Sequence, residues 1–448
     1  MRTGIVWFRR DLRVIDNPAW AAATQDHERV VALLILDPAL LDGAGDHRRR
    51  AFLQAAAELD RALQALGGRL RVEAGAPAEV LPRVVRDIGA STVDANLDVS
   101  PFARRRDETV DAATTGMVRW HWGTLVHPPG SVLTRRGTLS QVFTPFWRRW
   151  SALPLPTFAA PGDVVVAHDT GSGGPLVESP TGEPDRLVAE WQTRVDRYDT
   201  DRDRPGVDGT SHLSTALRFG TVSPRLLAAE LGTHTAGREA FVRQLAWRDW
   251  HAHTMWGFPG LPHQALRAGY DGIRWETGPD ADRDFEAWTA GRTGYPLVDA
   301  GMRQLAATGW MHNRVRMITA SFLVKHLLID WRRGERHFRR LLVDGDPAQN
   351  AGNWQWVAGT GPDAAPYFRI FNPVTQSRRH DGHGAYIRTW VPELAPLGDT
   401  AIHAPWEVAP LELASAGVVL GDTYPAPIID HATARTRTLA AYSAALGR

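Results

Sequence analysis

Three short stretches of this chain carry side chains whose types and spacing could do chemistry. Thr210-Ser211-His212-Leu213-Ser214 sets three hydroxyls within five residues at an expected helix start. Free main-chain N–H groups and the helix dipole favour a phosphate there, although plain N-capping uses the same residue types. Asp344-Gly345-Asp346 is followed by Gln349, Asn350, Trp354, Gln355 and Trp356, so carboxylates, amides and indoles gather in one segment. Carboxylates two apart can ligate a hard cation, accept from the N–H groups of a heterocycle, or close a turn around Gly345. Residues 243–251 form the third stretch, in which helical spacing brings Gln244, Trp247, Arg248 and His251 to neighbouring positions. That face could stack a base and hold phosphates, or it could be an interfacial helix with snorkelling arginines. The arginine-rich run at 332–340 reads as a solvated face.

Composition narrows the chemistry further. The chain has no cysteine, which excludes disulfides, thiolate-ligated clusters and thiol nucleophiles. Its 51 basic and 50 acidic residues give a formal charge of +1, so any basic face has to be local. Lys325 is the only lysine, and 18 tryptophans stand against 7 tyrosines. Indole adds stacking surface and a redox-accessible ring beyond what core volume alone requires. Hydrophobic residues make up 43% and charged residues 23%, the balance of a soluble globular protein. No apolar run approaches the roughly 20 residues of a membrane span. At the N-terminus arginines follow a short apolar run, the wrong order for a secretory signal, so a cytoplasmic location is expected.

The elements that must position these groups fall into two textures, and 448 residues leave room for two or three domains. Short β-rich runs at 4–8, 30–37, 68–73, 92–97 and 117–126 alternate with helical patterns. The clearest of those patterns is 46–66, where Phe52, Leu53, Ala56, Leu59, Leu63 and Leu66 form one apolar stripe. Such alternation predicts a doubly wound parallel sheet over residues 1–127. Its first turn, Arg9-Arg10-Asp11-Leu12-Arg13, is not a glycine-rich phosphate cradle, which argues against ordinary dinucleotide binding. Residues 128–209 are rich in Pro, Gly and Asp, as at 161–163 and 171–175, and read as an interdomain connection with helices near 145–150 and 184–198. From 210 to 448 helices dominate, at 224–231 after a Ser223 cap, 240–255, 295–308 and 314–331. Residues 318–329 are apolar nearly all round, as in a helix buried inside a bundle.

Read together, these segments resemble the photolyase and cryptochrome flavoproteins, and among them the class I cyclobutane pyrimidine dimer photolyases. The likeness starts at Gly4-Ile5-Val6-Trp7-Phe8-Arg9-Arg10-Asp11-Leu12-Arg13. It is densest over Thr293-Gly294-Tyr295-Pro296-Leu297-Val298-Asp299-Ala300, Gly309-Trp310-Met311-His312-Asn313-Arg314 and residues 344–373. So many unusual words in one order carry more weight than any single motif. The resemblance implies an α/β antenna domain, a long linker and an all-helical domain holding FAD, reduced in the active form. It assigns Tyr198, Thr210, Ser211, His212, Leu213 and Ser214 to the phosphates, Arg316, Asp344, Asp346 and Asn350 to the flavin ring and Gly345 to cofactor binding, with Asn350 and Gln244 as the catalytic positions. Trp354, Trp331 and Trp275 match the family's line of electron-carrying indoles. Gln244, Trp247, Arg248, His251, Asn313, Arg314, Met317, Trp356 and Gln376 match positions that contact the lesion or its strand.

The implied reaction is light-driven splitting of cyclobutane dimers in UV-damaged DNA by a monomeric enzyme. Photolyases are a known example of enzymes that take a base out of the stack before acting on it, so a turned-out lesion is what the resemblance implies. Several positions depart from the family's pattern. Gln244 stands where the dimer photolyases usually carry glutamate, and an amide cannot act as an acid. Glutamine is more typical of (6-4) photolyases, but those carry a histidine pair where this chain has Asn313 and Met317. Phe241 and Asn353 replace a frequent tryptophan and a glycine. Ala103 before Arg104-Arg105-Arg106-Asp107 disfavours a folate antenna, and residues 96–102 look like members that use 8-hydroxy-5-deazaflavin. The competing reading is a cryptochrome-like light sensor. Such sensors often add a long C-terminal extension, and the end at Arg448 favours repair.

Overall fold

The computed structural model describes residues 2–174, 176 and 182–447, so Pro175, in the punctuated run at 171–175, lies outside the described residues. Contacts gather the chain into two compact units, Met1–Asp196 with Ser211–Pro259, and Arg197–Thr210 with Gly260–Arg448.

In the first unit the expected strands form as β1 (Thr3–Phe8), β2 (Arg29–Leu36), β3 (Leu70–Ala74), β4 (Thr92–Asn96) and β5 (Val118–His121). They pair in the order β3-β2-β1-β4-β5, and every pairing is parallel. β1 is buried at every position and β2 at all but its ends, the continuous apolar run of a sheet covered on both faces. One face packs on Trp20, Ala56, Leu59 and Leu63, the other on Leu81, Val84 and Val110. Much of the stretch expected to connect domains is built into this unit. Its two-residue strand β6 (Val165–Val166) pairs with β2. Arg69 N then donates to Ala167 O at 3.0 Å, Val72 N to Thr170 O at 2.9 Å and Gly173 N to Val72 O at 2.7 Å.

The first unit also holds helices outside the α/β region, and two of them meet at one buried carboxylate. Asp249, on the helix Ala236–Gly257, accepts from Val126 N at 3.3 Å, His127 N at 2.8 Å and Trp150 Nε1 at 2.8 Å. Trp150 closes the helix Phe143–Trp150. Ser223 caps another of them, Pro224–Leu231, as expected, its hydroxyl accepting from Leu226 N at 3.3 Å.

The second unit is helical among its described residues. One expected helix, at 314–331, is corrected. An α-helix runs over Asn313–Ser321, widens to a π-turn over Phe322–His326, and stops. Leu328 takes a φ of +54° and a new helix starts at Trp331, capped by Asp330, whose Oδ1 accepts from Arg332 N at 2.9 Å. The burial expected for 318–329 is present, since every residue there is inside the core. When every position is apolar, periodicity cannot separate a helix from another buried path, and the signal that mattered was the capping aspartate.

Asp249 supplies a test of the first unit. Burial pushes its carboxyl up to about 6, against the hydrogen bonds from His127, Trp150 and Val126. A folded value above the unfolded value of about 3.9 means the native state holds the proton longer, so stability falls as pH rises between the two, by up to about 3 kcal/mol. In urea titrations from about pH 4 to 7, wild type should lose this stability relative to Asp249→Asn, in which the group cannot ionise.

Candidate active site

The helix Pro347–Ala358 positions most of the expected flavin groups of the second unit. Asp346 starts it, its Oδ1 accepting from Ala348 N at 2.9 Å and Gln349 N at 3.1 Å, and Pro347 at the first position is pre-set for the helix. Asp344 lies just before the cap and is held by Arg316 of Asn313–Ser321 in a two-pronged pair of 3.1 and 2.8 Å. Arg316 Nε also donates to Met311 O at 2.7 Å, which fixes the fork. Gly345 N donates to Leu342 O at 3.2 Å, so the turn reading of Asp344-Gly345-Asp346 holds alongside the polar one.

One turn into the helix, Asn350 is buried and donates Nδ2 to both Glu335 O and Glu335 Oε1 at 2.9 Å. Its Oδ1 accepts from no group among the described residues. Glu335 is a residue that the sequence reading missed. It is buried on Trp331–Leu341, inside the run read as a solvated face, and burial pushes its carboxyl up against Arg339 and Asn350. Its neighbours Arg332 and Arg333 are half-buried and paired with Asp271 at 3.1 Å and Asp282 at 2.8 Å. Asn353 bonds its own helix through Gln349 O at 2.8 Å.

The three expected electron carriers belong to the aromatic interior of this unit. Trp354 and Trp331 are buried in one core cluster, and half-buried Trp275 packs against it. Trp354 lies edge-on to Phe338 at 5.0 Å and to Trp288 at 6.2 Å. Its close approach to Trp331–Leu341 depends on Gly334, where a Cβ would sit 2.2 Å from Trp354 Cη2 and 2.5 Å from Leu323 Cδ2. Trp275 meets Tyr442 edge-on at 6.1 Å.

Of the positions expected in the second unit to contact a lesion, Asn313 is exposed at the start of its helix, and its Nδ2 lies 3.9 Å from Met317 Sδ one turn on. Arg314 is paired through both prongs with Asp203 at 3.2 and 2.7 Å, a partner not anticipated. Trp356 and Gln376 are half-buried on the helices Pro347–Ala358 and Pro373–His380. Tyr198 is half-buried at the start of a one-turn helix, with Arg202 over its ring at 5.1 Å, and Thr210 is half-buried too.

In the first unit, Ser211 Oγ accepts from Leu213 N at 3.2 Å, His212 takes a φ of +53°, and Ser214 begins the short helix Ser214–Phe219. Leu213 is buried, whereas His212 and Ser214 are exposed. Trp247 is half-buried and stacked on Phe143, with centroids 3.6 Å apart and planes at 12°. Arg243 covers the Phe143 ring at 5.4 Å. Phe143 and Arg243 were not singled out from the sequence. Gln244 Nε2 donates to Ala240 O at 3.0 Å, and Arg248 gives its guanidinium to Thr124 O and Leu217 O. His251 is buried beside Trp247 at 5.7 Å. Phe241 is buried against Trp191 at 5.2 Å.

The sheet order reverses between β1 and β4, the kind of point where open α/β sheets bind ligands. There Arg9 lies over Trp7 at 4.8 Å and Trp120 at 5.3 Å, and pairs with Asp107. Arg10 pairs with Asp98 at 3.0 Å, while Asn96 Nδ2 donates to Asp11 Oδ2 at 2.6 Å.

A parallel sheet with a first turn of arginines, followed by a helical unit in which carboxylates, a buried amide and indoles gather on neighbouring helices, is the plan of a DNA-repair flavoprotein. Similarity to known proteins agrees. Residues 4–162 match the family model described as DNA photolyase, and residues 241–444 match the FAD binding domain of DNA photolyase. The chain belongs to the DNA photolyase family. Its class is deoxyribodipyrimidine photo-lyase, acting in the repair of cyclobutane dimers. It is 43% identical to the deoxyribodipyrimidine photo-lyase of Streptomyces griseus, over 98% of each chain. Identity to that of Agrobacterium fabrum is 40%, covering 98% of this chain and 97% of the relative. A crystal structure of a bacterial class III photolyase from Agrobacterium tumefaciens superimposes with a TM-score of 0.91 at 38% identity, covering 100% of this chain and 98% of the other. A Synechocystis cryptochrome does so at 0.89 and 28% identity, over 98% and 99%. No helix among the described residues is long and apolar enough to cross a membrane.

Gly334 gives the site a sensitive test. Gly334→Ala should destabilise the protein by about 1–3 kcal/mol in urea unfolding, because the added methyl overfills a packed contact. It should also shift the tryptophan fluorescence, whereas Ala at Gly398, where a Cβ would meet open space, should do neither.

Proposed function

We propose that the chain splits cyclobutane pyrimidine dimers by light-driven electron transfer from FAD, acting as a monomer on a lesion turned out of UV-damaged DNA. The observation that carries this reading is the single helix on which Asp346, Asn350 and Trp354 follow one another beside Arg316-bound Asp344. The donor set fits a flavin: carboxylates offer acceptors to ring and ribose N–H or O–H groups, and the Asn350 amide keeps its oxygen available. When bound, the fully reduced cofactor supplies on excitation the electron that opens the cyclobutane ring, and recovers it afterwards with no net redox change.

The chain's own residues bind, orient and exclude water. Tyr198, Thr210, Ser211, His212, Leu213 and Ser214 are assigned to the cofactor phosphates, with Arg316, Asp344, Gly345, Asp346 and Asn350 at the ring. Glu335 orients Asn350 by accepting from its Nδ2. Ring opening requires no acid or base, so Gln244 contributes hydrogen bonds to the lesion bases and not a proton. Trp247 and Trp356 are assigned to stacking on the lesion. Arg248, His251, Asn313, Arg314, Met317 and Gln376 are assigned to contacts with the lesion and its strand. Trp275, Trp331 and Trp354 carry electrons inward when the cofactor has become oxidised. An antenna of the 8-hydroxy-5-deazaflavin type is assigned to residues 1–127, which 128–209 connect to the catalytic residues 210–448.

The test is blue-light repair of oligonucleotides bearing a cyclobutane dimer or a (6-4) product by the reduced, flavin-loaded protein. Repair of the dimer alone is expected. Repair of the (6-4) product alone would reverse the lesion assignment, and flavin without repair of either would indicate a sensor like the cryptochrome relative. Trp354→Phe should abolish light reduction of the oxidised protein yet leave dimer repair by chemically reduced protein intact. Arg314→Ala should lower the slope of log affinity against log salt by about 1, the loss of one phosphate contact.

A further inference from the structure

Lys325, the chain's only lysine, is 1% exposed in the core of the second unit. Its Nζ lies 3.6 Å from the centroid of the Tyr442 ring and donates to Ala358 O at 3.2 Å. The same carbonyl accepts the Tyr442 hydroxyl at 2.7 Å, so amine and phenol meet at one oxygen. No carboxylate pairs with Lys325 among the described residues, and a lone buried ammonium is strongly disfavoured. Tyr442 is itself fully buried and stands edge-on to Trp275, 6.1 Å away.

We propose that Lys325 gates the outer end of the indole line: as an ammonium it keeps an electron hole on Trp275 from passing to Tyr442, and as a neutral amine it lets the hole pass. This rests on the assignment of Trp354, Trp331 and Trp275 as electron carriers. With light-excited oxidised flavin as the oxidant, the hole reaches Trp275 as its radical cation. In the open state Tyr442 gives one electron to Trp275, and its hydroxyl, turned away from Ala358 O, gives its proton to Lys325 Nζ, which shares that carbonyl with it. The products are neutral Trp275, a neutral tyrosyl radical and an ammonium. In the closed state the ammonium opposes positive charge on the ring beneath it, and the Ala358 carbonyl is too weak a base to take the proton.

Burial alone brings the Lys325 amine down to about 7, so both states are reachable near neutrality. The titratable and charged groups on the surrounding elements are Tyr442, Arg437 and His431 on the last helix, His326 beside the lysine, and Asp330 at the next helix cap. Tyr270 and Asp271 lie on the 3-10 turn, with Glu276 after it and Tyr367 stacked on Tyr442. Burial holds His326 down to about 3 and lowers His431 as well, while Tyr442 is pushed far up. Arg437 faces Glu276 at 3.4 Å. An arginine at 325 would stay charged throughout this range.

The test is laser-flash spectroscopy of the full chain carrying oxidised FAD. Tyrosyl yield should rise about tenfold from one pH unit below the lysine's titration to one above, following the neutral fraction. Tyr442→Phe should abolish the tyrosyl signal, and Lys325→Arg and Lys325→Met should each remove its pH dependence. Because there is one lysine, [13Cε]lysine gives a single NMR resonance, readable without flavin, that should titrate far below the usual value of about 10.4. A normal titration, a flat tyrosyl yield in wild type, or a pH dependence surviving in Lys325→Met would overturn the gate. Absence of any tryptophan radical in wild type would instead remove the electron-carrier assignment beneath it.

Discussion

Two main-chain N–H groups at the start of Pro347–Ala358 end on the Asp346 carboxylate, and that cap sets the rotational phase of every side chain after it. With the phase fixed, Asn350 reaches the Glu335 carbonyl and carboxyl one turn later, and Trp354 meets the gap left by Gly334 a turn after that. Near the far end, buried Gln355 donates Nε2 to Leu261 O and Gln264 O, each at 2.7 Å, and accepts from Leu266 N at 3.1 Å. The helix is therefore tied at its head, middle and tail. A rotation of even a fraction of a turn would break buried hydrogen bonds at all three places, and each such loss is worth about 1–3 kcal/mol. Groups held this way need little reorganisation when charge moves near them.

Buried carboxylates recur as the device that fixes irregular backbone. Asp299 accepts from Thr293 N and Thr293 Oγ1 at 2.7 Å, Gly294 N at 3.0 Å and the Tyr424 hydroxyl at 2.6 Å. It thereby sets the turn that launches Pro296–Thr308. Asp249 does the equivalent for the first unit. Two of the stretches that carry the family likeness, 293–300 and 9–13, thus serve scaffolding: Arg13 is buried and donates to the carbonyls of Ile15, Asp16, Gly123 and Gly220. Distinctive sequence is not the same as reactive sequence.

The sheet was legible because β-rich runs separated by amphipathic helices have few other solutions, and each expected strand appears within a few residues of its place. The core of the helical unit was legible by composition but not by path. Residues 318–329 read as one helix, while the chain widens at Phe322–His326 and restarts at Asp330. Asp344, Asp346 and Asn350 could be marked as candidates because carboxylate, amide and indole crowd one segment, while their assignment to a flavin comes only from the resemblance. Their partners could not: Glu335 sits in an arginine-rich run that looks wholly solvated, and Asp203 lies 111 positions from Arg314. Pairings of that kind are set by tertiary packing and leave no local periodicity. Phe143 beneath Trp247 is similar, since an aromatic in a short helix carries no mark of the ring it will stack on.

The segment that runs along the sheet after β6 bears on how the protein behaves in concentrated solution. An unpaired strand edge is a template for another chain. Here Ala167 and Thr170 accept from the β3 side, and Gly173 donates back to Val72. At the opposite margin Arg119 of β5 is paired with Asp94 and Asp26. One margin is thereby partly covered and the other carries a paired arginine, so the sheet resists the edge-to-edge association to which its apolar strands would otherwise be prone.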